Sequence, residues 1–127
     1  MIFTKHGFQR LSEFEPYWPG FTKLWETVRD ECDVARDVMG AVTFSDEPTV
    51  VDVDYFDGCR RFTVDLATNE IVREVDNSCG RWDALPAIAP GTAVVTCKWS
   101  DCYRTLTMTV NVAAGTLKAP LPAHMVA

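Results

Sequence analysis

Cysteine and arginine recur together at three points along the chain, each time separated by one residue. The three copies read Cys59-Arg60-Arg61, Cys79-Gly80-Arg81 and Cys102-Tyr103-Arg104. Guanidinium groups bind anions through paired N–H donors, and a nearby positive charge lowers the pKa of a thiol. A sheet that gathered these three turns at one end would therefore form an anion site with activated thiols. Turns of an antiparallel meander alternate between the two ends of a sheet, however, so chance recurrence is the preferred interpretation.

Four of the five cysteines offer a metal site as the alternative. Structural zinc sites are built from paired cysteines separated by about two to four residues. Cys97 and Cys102 have such a spacing, but the other two cysteines are widely separated. An odd number of cysteines, with no export signal recognised in residues 1–15, favours reduced thiols in a cytoplasmic protein without a resident cofactor. The zinc alternative would use Cys59, Cys79, Cys97 and Cys102.

Three aspartates near residue 55 form a pattern similar to a loop that holds a hard cation. Asp52, Asp54 and Asp57 precede Gly58, and calcium favours carboxylate oxygens spaced in this way. The position that closes such a loop is Thr63, which carries no carboxylate. The preferred interpretation is therefore the solvent-exposed face of a strand that ends at an Asp-Gly turn.

Residues 21–39 show the clearest helical periodicity in the chain. Apolar side chains recur every three or four positions from Phe21 to Met39, and Gly40 stands where a left-handed C-cap is expected. Pairs of like charge four residues apart on the opposite face destabilise a helix slightly. That face is either a solvated surface or a contact site for a basic partner. Its carboxylates are Glu26, Asp30, Asp33 and Asp37.

Residues 92–112 are predicted to form a long β-hairpin, because apolar side chains occupy every second position on each side of a turn near Asp101. Three further strands are expected at 49–56, 61–66 and 70–75, whereas the prolines of 81–91 exclude a central strand there. The chain is therefore expected to be a single α+β domain, 1–127. One long amphipathic helix packs on a five-stranded antiparallel sheet, made of a meander plus the C-terminal hairpin. Residues 1–20 form an irregular or short-helical segment, and 113–127 form a tail.

This order of elements is similar to that of cystatin-like and nuclear-transport-factor-like folds, in which a sheet curls around a helix. The resemblance covers element order, and it implies a cupped sheet able to hold a small ligand or substrate. Aromatic side chains would line that site, and arginines would fix an anionic group. The residues are Trp25, Tyr55, Phe62, Trp99, Arg61, Arg81 and Arg104.

The charge balance favours a protein partner. The net charge is −6 at pH 7, and residues 1–64 carry 12 acidic and seven basic side chains. An acidic surface repels phosphate backbones and attracts basic proteins, so direct nucleic-acid binding is not expected. No apolar run approaches the roughly 18 residues of a membrane span.

No catalytic constellation is recognised, so a non-enzymatic role is favoured while an enzymatic one stays open. The leading prediction is a small acidic protein-binding module, acting as an inhibitor or accessory factor on a basic nucleic-acid-handling partner. It is similar in size and charge to many phage-encoded inhibitors. Its contact residues would be Glu26, Asp30, Asp33, Asp37, Asp52, Asp54, Asp57 and Trp99.

Overall fold

The computed structural model describes residues 2–4, 7–34, 38–45, 51–52, 58–76, 81–82, 88–100, 104–112 and 122. Within them, a short 3-10 helix at Leu11–Glu13 precedes the α-helix α1, Phe21–Glu31. The strands are β1 (Ile2–Thr4), β2 (Gly7–Gln9), β3 (Met39–Ser45), β4 (Val51–Asp52), β5 (Gly58–Asp65), β6 (Glu70–Asp76), β7 (Arg81–Trp82), β8 (Thr92–Ser100) and β9 (Thr105–Val112).

Seven of these strands form one mixed sheet in the order β2-β1-β3-β9-β8-β5-β6. Strand β3 runs parallel to both of its neighbours, β1 and β9, and the other pairings in this sheet are antiparallel. The body of the sheet is the five longer strands, β3, β9, β8, β5 and β6. Strands β4 and β7 pair with each other in a separate two-stranded ladder.

The α+β class is confirmed, but the prediction of an entirely antiparallel sheet is wrong. The structure adds β3 to the sheet as a further long strand and places β9 between β3 and β8. Residues 1–20 contribute a hairpin, β1–β2, to the sheet edge rather than an irregular segment alone. Of the strand expected at 49–56, the described part is β4, outside the main sheet; 53–57 lie outside the described residues.

The hairpin expected at 92–112 is present as β8 and β9, paired from Ala93 opposite Val112 to Ser100 opposite Thr105. Its predicted dry face is buried, with Val95, Leu106 and Val110 each fully inaccessible. The other face is polar but not fully solvent-exposed, since Thr96 and Asn111 are each only 1% exposed.

The helix is shorter than the predicted 21–39. It ends at Glu31, and Asp33 just beyond it takes a left-handed conformation with φ 55°. Gly40 is not a C-cap; it lies in β3, where a Cβ atom would stand 2.5 Å from the Trp25 ring. The backbone of β3 approaches α1 closely enough that only glycine fits at position 40. Met39, the last residue of the predicted helical stripe, pairs with Thr105 of β9 instead.

Four aromatic rings fasten α1 and the preceding turns to the sheet. The centre of the Phe21 ring lies 4.8 Å from the ring centre of Phe14, 5.5 Å from that of Trp18 and 5.8 Å from that of Phe44 in β3. All four side chains are 3% exposed or less. Aromatic pairs at these separations add to the stabilisation that burial provides. The core of the domain is therefore the layer between α1 and one face of the sheet.

Two polar side chains fix the start of α1. The Glu15 carboxylate accepts hydrogen bonds from the backbone N–H groups of Gly20 (2.7 Å) and Thr22 (2.9 Å), which lowers the pKa of Glu15. Asn69, in the turn between β5 and β6, accepts from Trp18 Nε1 at 2.8 Å and donates to the Pro19 carbonyl at 2.6 Å. Both contacts satisfy groups near the helix N-terminus and tie it to the sheet.

Candidate functional site

Three of the predicted partner-binding carboxylates are exposed on α1 and just beyond it. Glu26 and Asp30 lie one turn apart on the helix, and Asp33 follows its end. Asp30 is 61% exposed and stands 3.4 Å from the guanidinium of its neighbour Arg29, a long surface contact that contributes little. Asp37, Asp54 and Asp57 lie outside the described residues, and only the backbone of Asp52 is described.

Strand β6 adds two carboxylates that sequence reasoning did not select. Arg60 Nη1 lies 2.9 Å from Glu74 Oε1, and Arg60 Nε lies 2.7 Å from Asp76 Oδ1. The same guanidinium donates to the backbone carbonyl of Glu31, the last residue of α1. One arginine therefore brings the end of the helix and the acidic end of β6 together. We call the exposed carboxylates of these two elements and of the residue just beyond the helix the acidic surface: Glu26, Asp30, Asp33, Glu74 and Asp76.

A signal for this arrangement is present in the sequence. Glu74 and Asp76 are two positions apart on a strand and therefore share a face. Arg60 is two positions from Phe62, so alternation places it on the same side as that buried ring. In the structure Arg60 pairs with Asp76 and Phe62 with Glu74 across the two strands. The carboxylates and the arginine thus meet on the helix side of the sheet.

Trp99 lies partly buried at the edge of the core, in the same region as Arg60. The Arg60 guanidinium carbon stands 6.0 Å from the centre of the Trp99 ring, within range of a cation–π contact. Across the ladder Trp99 is opposite Gly58, whose missing side chain leaves room for the indole. Trp99 is therefore a packing residue with one accessible side, next to the acidic surface.

The residues of the predicted ligand pocket do not lie on one face of the sheet. Phe62 (0% exposed) and Trp25 (5%) belong to the core between sheet and helix. Arg61 lies on the opposite face, where its Nε donates to Thr96 Oγ1 at 2.9 Å. Arg104 is exposed, and its backbone is in the left-handed region with φ 52°. Tyr55 lies outside the described residues, and of Arg81 the backbone alone is described.

The face that carries Arg61 is rich in hydroxyl groups. Thr43, Thr109, Thr96 and Arg61 stand opposite one another in a row across β3, β9, β8 and β5. Lys98 and Cys59 form the end of the neighbouring row. This polar face therefore combines hydroxyl groups with the Arg61 guanidinium, and Thr96 at its centre is only 1% exposed.

The described cysteines are reduced and buried. Cys32, Cys59 and Cys97 are at most 4% exposed. Burial raises the pKa of the Cys32 thiol to about 12, even though the Arg60 guanidinium acts in the opposite direction. Burial also raises the pKa of the Cys97 thiol well above its ordinary value. Neither thiol is activated at neutral pH, so these two side chains act as small apolar core residues.

Of the proposed thiolate zinc site, Cys79 and Cys102 lie outside the described residues. Among the residues the structure does describe, no group of three or more histidine, cysteine, aspartate or glutamate side chains is placed to hold a metal ion. The same part of the chain contains no helix with the length and apolar character required to cross a membrane.

The raised pKa of Cys32 gives the domain a specific alkaline sensitivity. The Cys32 thiol has a pKa near 9 in the unfolded chain and about 12 in the folded one. Its contribution to the free energy of unfolding is therefore fully present below pH 9 and is lost as the pH rises from 9 to 12. At about pH 10.5, the wild type should have lost about 2 kcal/mol more of its unfolding free energy than Cys32→Ala, each relative to neutral pH. Urea unfolding of both proteins measures this difference. Equal losses would contradict it.

Over 54 residues the chain is 41% identical to a maleylpyruvate isomerase from Ralstonia sp. The match covers 40% of this chain and 26% of the relative, so the chain spans about a quarter of the length of the curated relative it matches. No protein-family model matches the chain, and no solved structure matches it. The similarity is therefore one of a segment and not of a whole protein.

Proposed function

We propose that this chain is a small protein-binding module that recognises a basic partner protein through the acidic surface. The observation that carries the proposal is that Arg60 pairs with the exposed carboxylates of Glu74 and Asp76 and donates to the backbone carbonyl of Glu31, so it links the acidic end of β6 to the end of the helix α1. Two guanidiniums, those of Arg29 and Arg60, contact carboxylates of this group of five, so the surface retains a net negative charge that attracts basic side chains. A nucleic-acid-handling protein is the partner class that best matches this charge.

The test compares two variants that change the net charge by the same amount. Glu26→Lys with Asp30→Lys reverses two charges of the acidic surface. The control variant, Glu13→Lys with Ser12→Lys and Ala89→Lys, changes the net charge by the same amount at three exposed positions outside it. A partner captured from the native host is purified, and its affinity for each variant is measured by calorimetry.

The surface pair should weaken binding about tenfold at low salt, and the control variant should weaken it less than about twofold. Raising the salt concentration should shrink the difference, because exposed charges are screened. Equal affinities of the two variants would remove the acidic surface from the interaction. Asp33 is left unchanged in this test because its left-handed backbone disfavours lysine.

A second candidate function is the binding or conversion of a small organic anion at the polar face that carries Arg61. It is supported by the segment similar to a maleylpyruvate isomerase and by the hydrogen bond from Arg61 to Thr96. Incubation of the purified protein with maleylpyruvate, followed spectroscopically, tests it. Turnover that is lost in Arg61→Ala would support this function, and no turnover by the wild type would exclude the isomerase activity.

A further inference from the structure

Among the described residues, strand β6 forms one of the two edges of the main sheet, and β2 forms the other. In the described chain β6 pairs with β5 on one side and ends the strand order on the other. Five of its seven side chains are exposed, and Val72 at 59% is one of the two large apolar side chains exposed among the described residues. An open edge presents a row of backbone N–H and C=O groups that can pair with another strand.

The register of β6 divides the strand into two parts. The ladder with β5 shifts between Thr63 and Val64, which leaves Val72 as the extra residue. A bulge of this kind bends the strand locally and interrupts pairing. From Arg73 to Asp76 the register is regular, so this part of the edge can accept an added strand of about four residues.

The charges along the edge decide what can pair with it. Glu70, Glu74 and Asp76 outweigh the single cation Arg73, so a second copy of β6 would oppose like charges across the new ladder. An extended segment with basic side chains at every second position would instead direct them toward Glu74 and Asp76. Directly opposite side chains in a ladder are about 5 Å apart at Cβ, close enough for ion pairs.

We propose that a basic extended segment of a partner protein binds by adding a strand to β6 along Arg73–Asp76, with alternate lysine or arginine side chains facing Glu74 and Asp76. This inference rests on the proposed function and specifies its mode. Backbone hydrogen bonds would supply the affinity, and the alternating charges would supply the specificity, as side chains do in other strand-addition complexes. The acidic end of α1, joined to β6 through Arg60, lies on the same side and extends the negative surface.

The probe is a peptide of about eight residues with lysine at every second position and valine or threonine between, a length that covers the regular edge with residues to spare. Its control has the same composition with all lysines in one block, so net charge is equal and alternation is lost. The intact protein should bind the alternating peptide about fivefold more tightly, an estimate from two cross-strand ion pairs. Equal binding of the two peptides, or no binding of either, would overturn strand addition.

Backbone hydrogen exchange supplies a second readout that does not depend on variants. At saturation with the alternating peptide, amides of alternate residues in Arg73–Asp76 should become protected, because every second N–H of an edge strand points outward. Changes confined to side-chain signals would overturn the proposal.

A pair of neutral variants locates the charge contribution. Glu74→Gln with Asp76→Asn should weaken peptide binding more than Glu26→Gln with Asp30→Asn, although both remove two charges. The reverse order would place the peptide on the helix and overturn the strand-addition mode.

The natural partner separates this inference from the proposed function. If it binds through the acidic surface without protecting β6 amides, strand addition fails while the proposed function stands. If its binding does not depend on the acidic surface, both fail.

Discussion

Replacing Phe21 with alanine is expected to lower the free energy of unfolding by about 3–5 kcal/mol. Phe21 is fully buried, and its ring is within 6 Å of those of Phe14, Trp18 and Phe44. The substitution removes the contact shared by α1, the turns before it and β3. Because a domain of this kind is stabilised by only about 5–15 kcal/mol, such a loss is a large part of the total.

Urea unfolding, followed by tryptophan fluorescence and by circular dichroism, measures this effect. Phe21→Leu keeps most of the apolar volume and should cost less than the alanine variant. Lys23→Ala, an exposed position on the same helix, should change stability by less than about 0.5 kcal/mol. A loss below about 1 kcal/mol in Phe21→Ala would mean that the aromatic cluster does not hold the helix to the sheet.

Gly58→Ala is the second substitution with a large expected effect. It should lower the free energy of unfolding, whereas a glycine-to-alanine change in a strand usually raises it. In an ordinary strand, alanine is more stable than glycine by about 0.5–1 kcal/mol, because glycine loses more conformational entropy on folding. At Gly58 the added Cβ would lie 2.6 Å from Cη2 of Trp99 and nearer still to its Cζ2. The indole would have to leave its place against the core and beside Arg60. We therefore expect a net destabilisation of about 1–3 kcal/mol.

A double-mutant cycle isolates the cause of that destabilisation. In a Trp99→Leu background the ring that meets the new methyl group is gone, so Gly58→Ala should become neutral or stabilising. The coupling between the two positions should exceed about 1 kcal/mol. Simple additivity of the two substitutions would show that Trp99 does not constrain position 58.

The hairpin and the first half of the helix were predictable because their patterns are local. Alternation from Ala93 to Val112 specifies two strands, and the spacing from Phe21 to Val28 specifies a buried helical stripe. The parallel pairing of β3 with β9 joins residues more than 60 positions apart, and no local pattern specifies which distant strand a segment pairs with. Gly40 was misread for the same reason, since its role is set by the Trp25 ring above it.

The candidate site was predictable in part. The carboxylates Glu26, Asp30 and Asp33 are exposed as the helical pattern indicates. Grouping Arg61 with Phe62 in one pocket ignored the alternation of a strand, which sends adjacent side chains to opposite faces. Applied consistently, that rule selects Arg60 as the arginine on the helix side. The pairing of Arg60 with Glu74 and Asp76 depends on the register between β5 and β6. That register cannot be read from the sequence alone.

The central position of β9 has a consequence for synthesis of the chain. The segment from β1 to β3 has its long parallel neighbour in a strand that the ribosome makes more than 60 residues later. Until β9 has emerged from the exit tunnel, β3 and β8 both lack the neighbour that they share in the finished sheet. Completion of the sheet therefore waits for β9, and a chaperone that shields nascent chains would act during this interval.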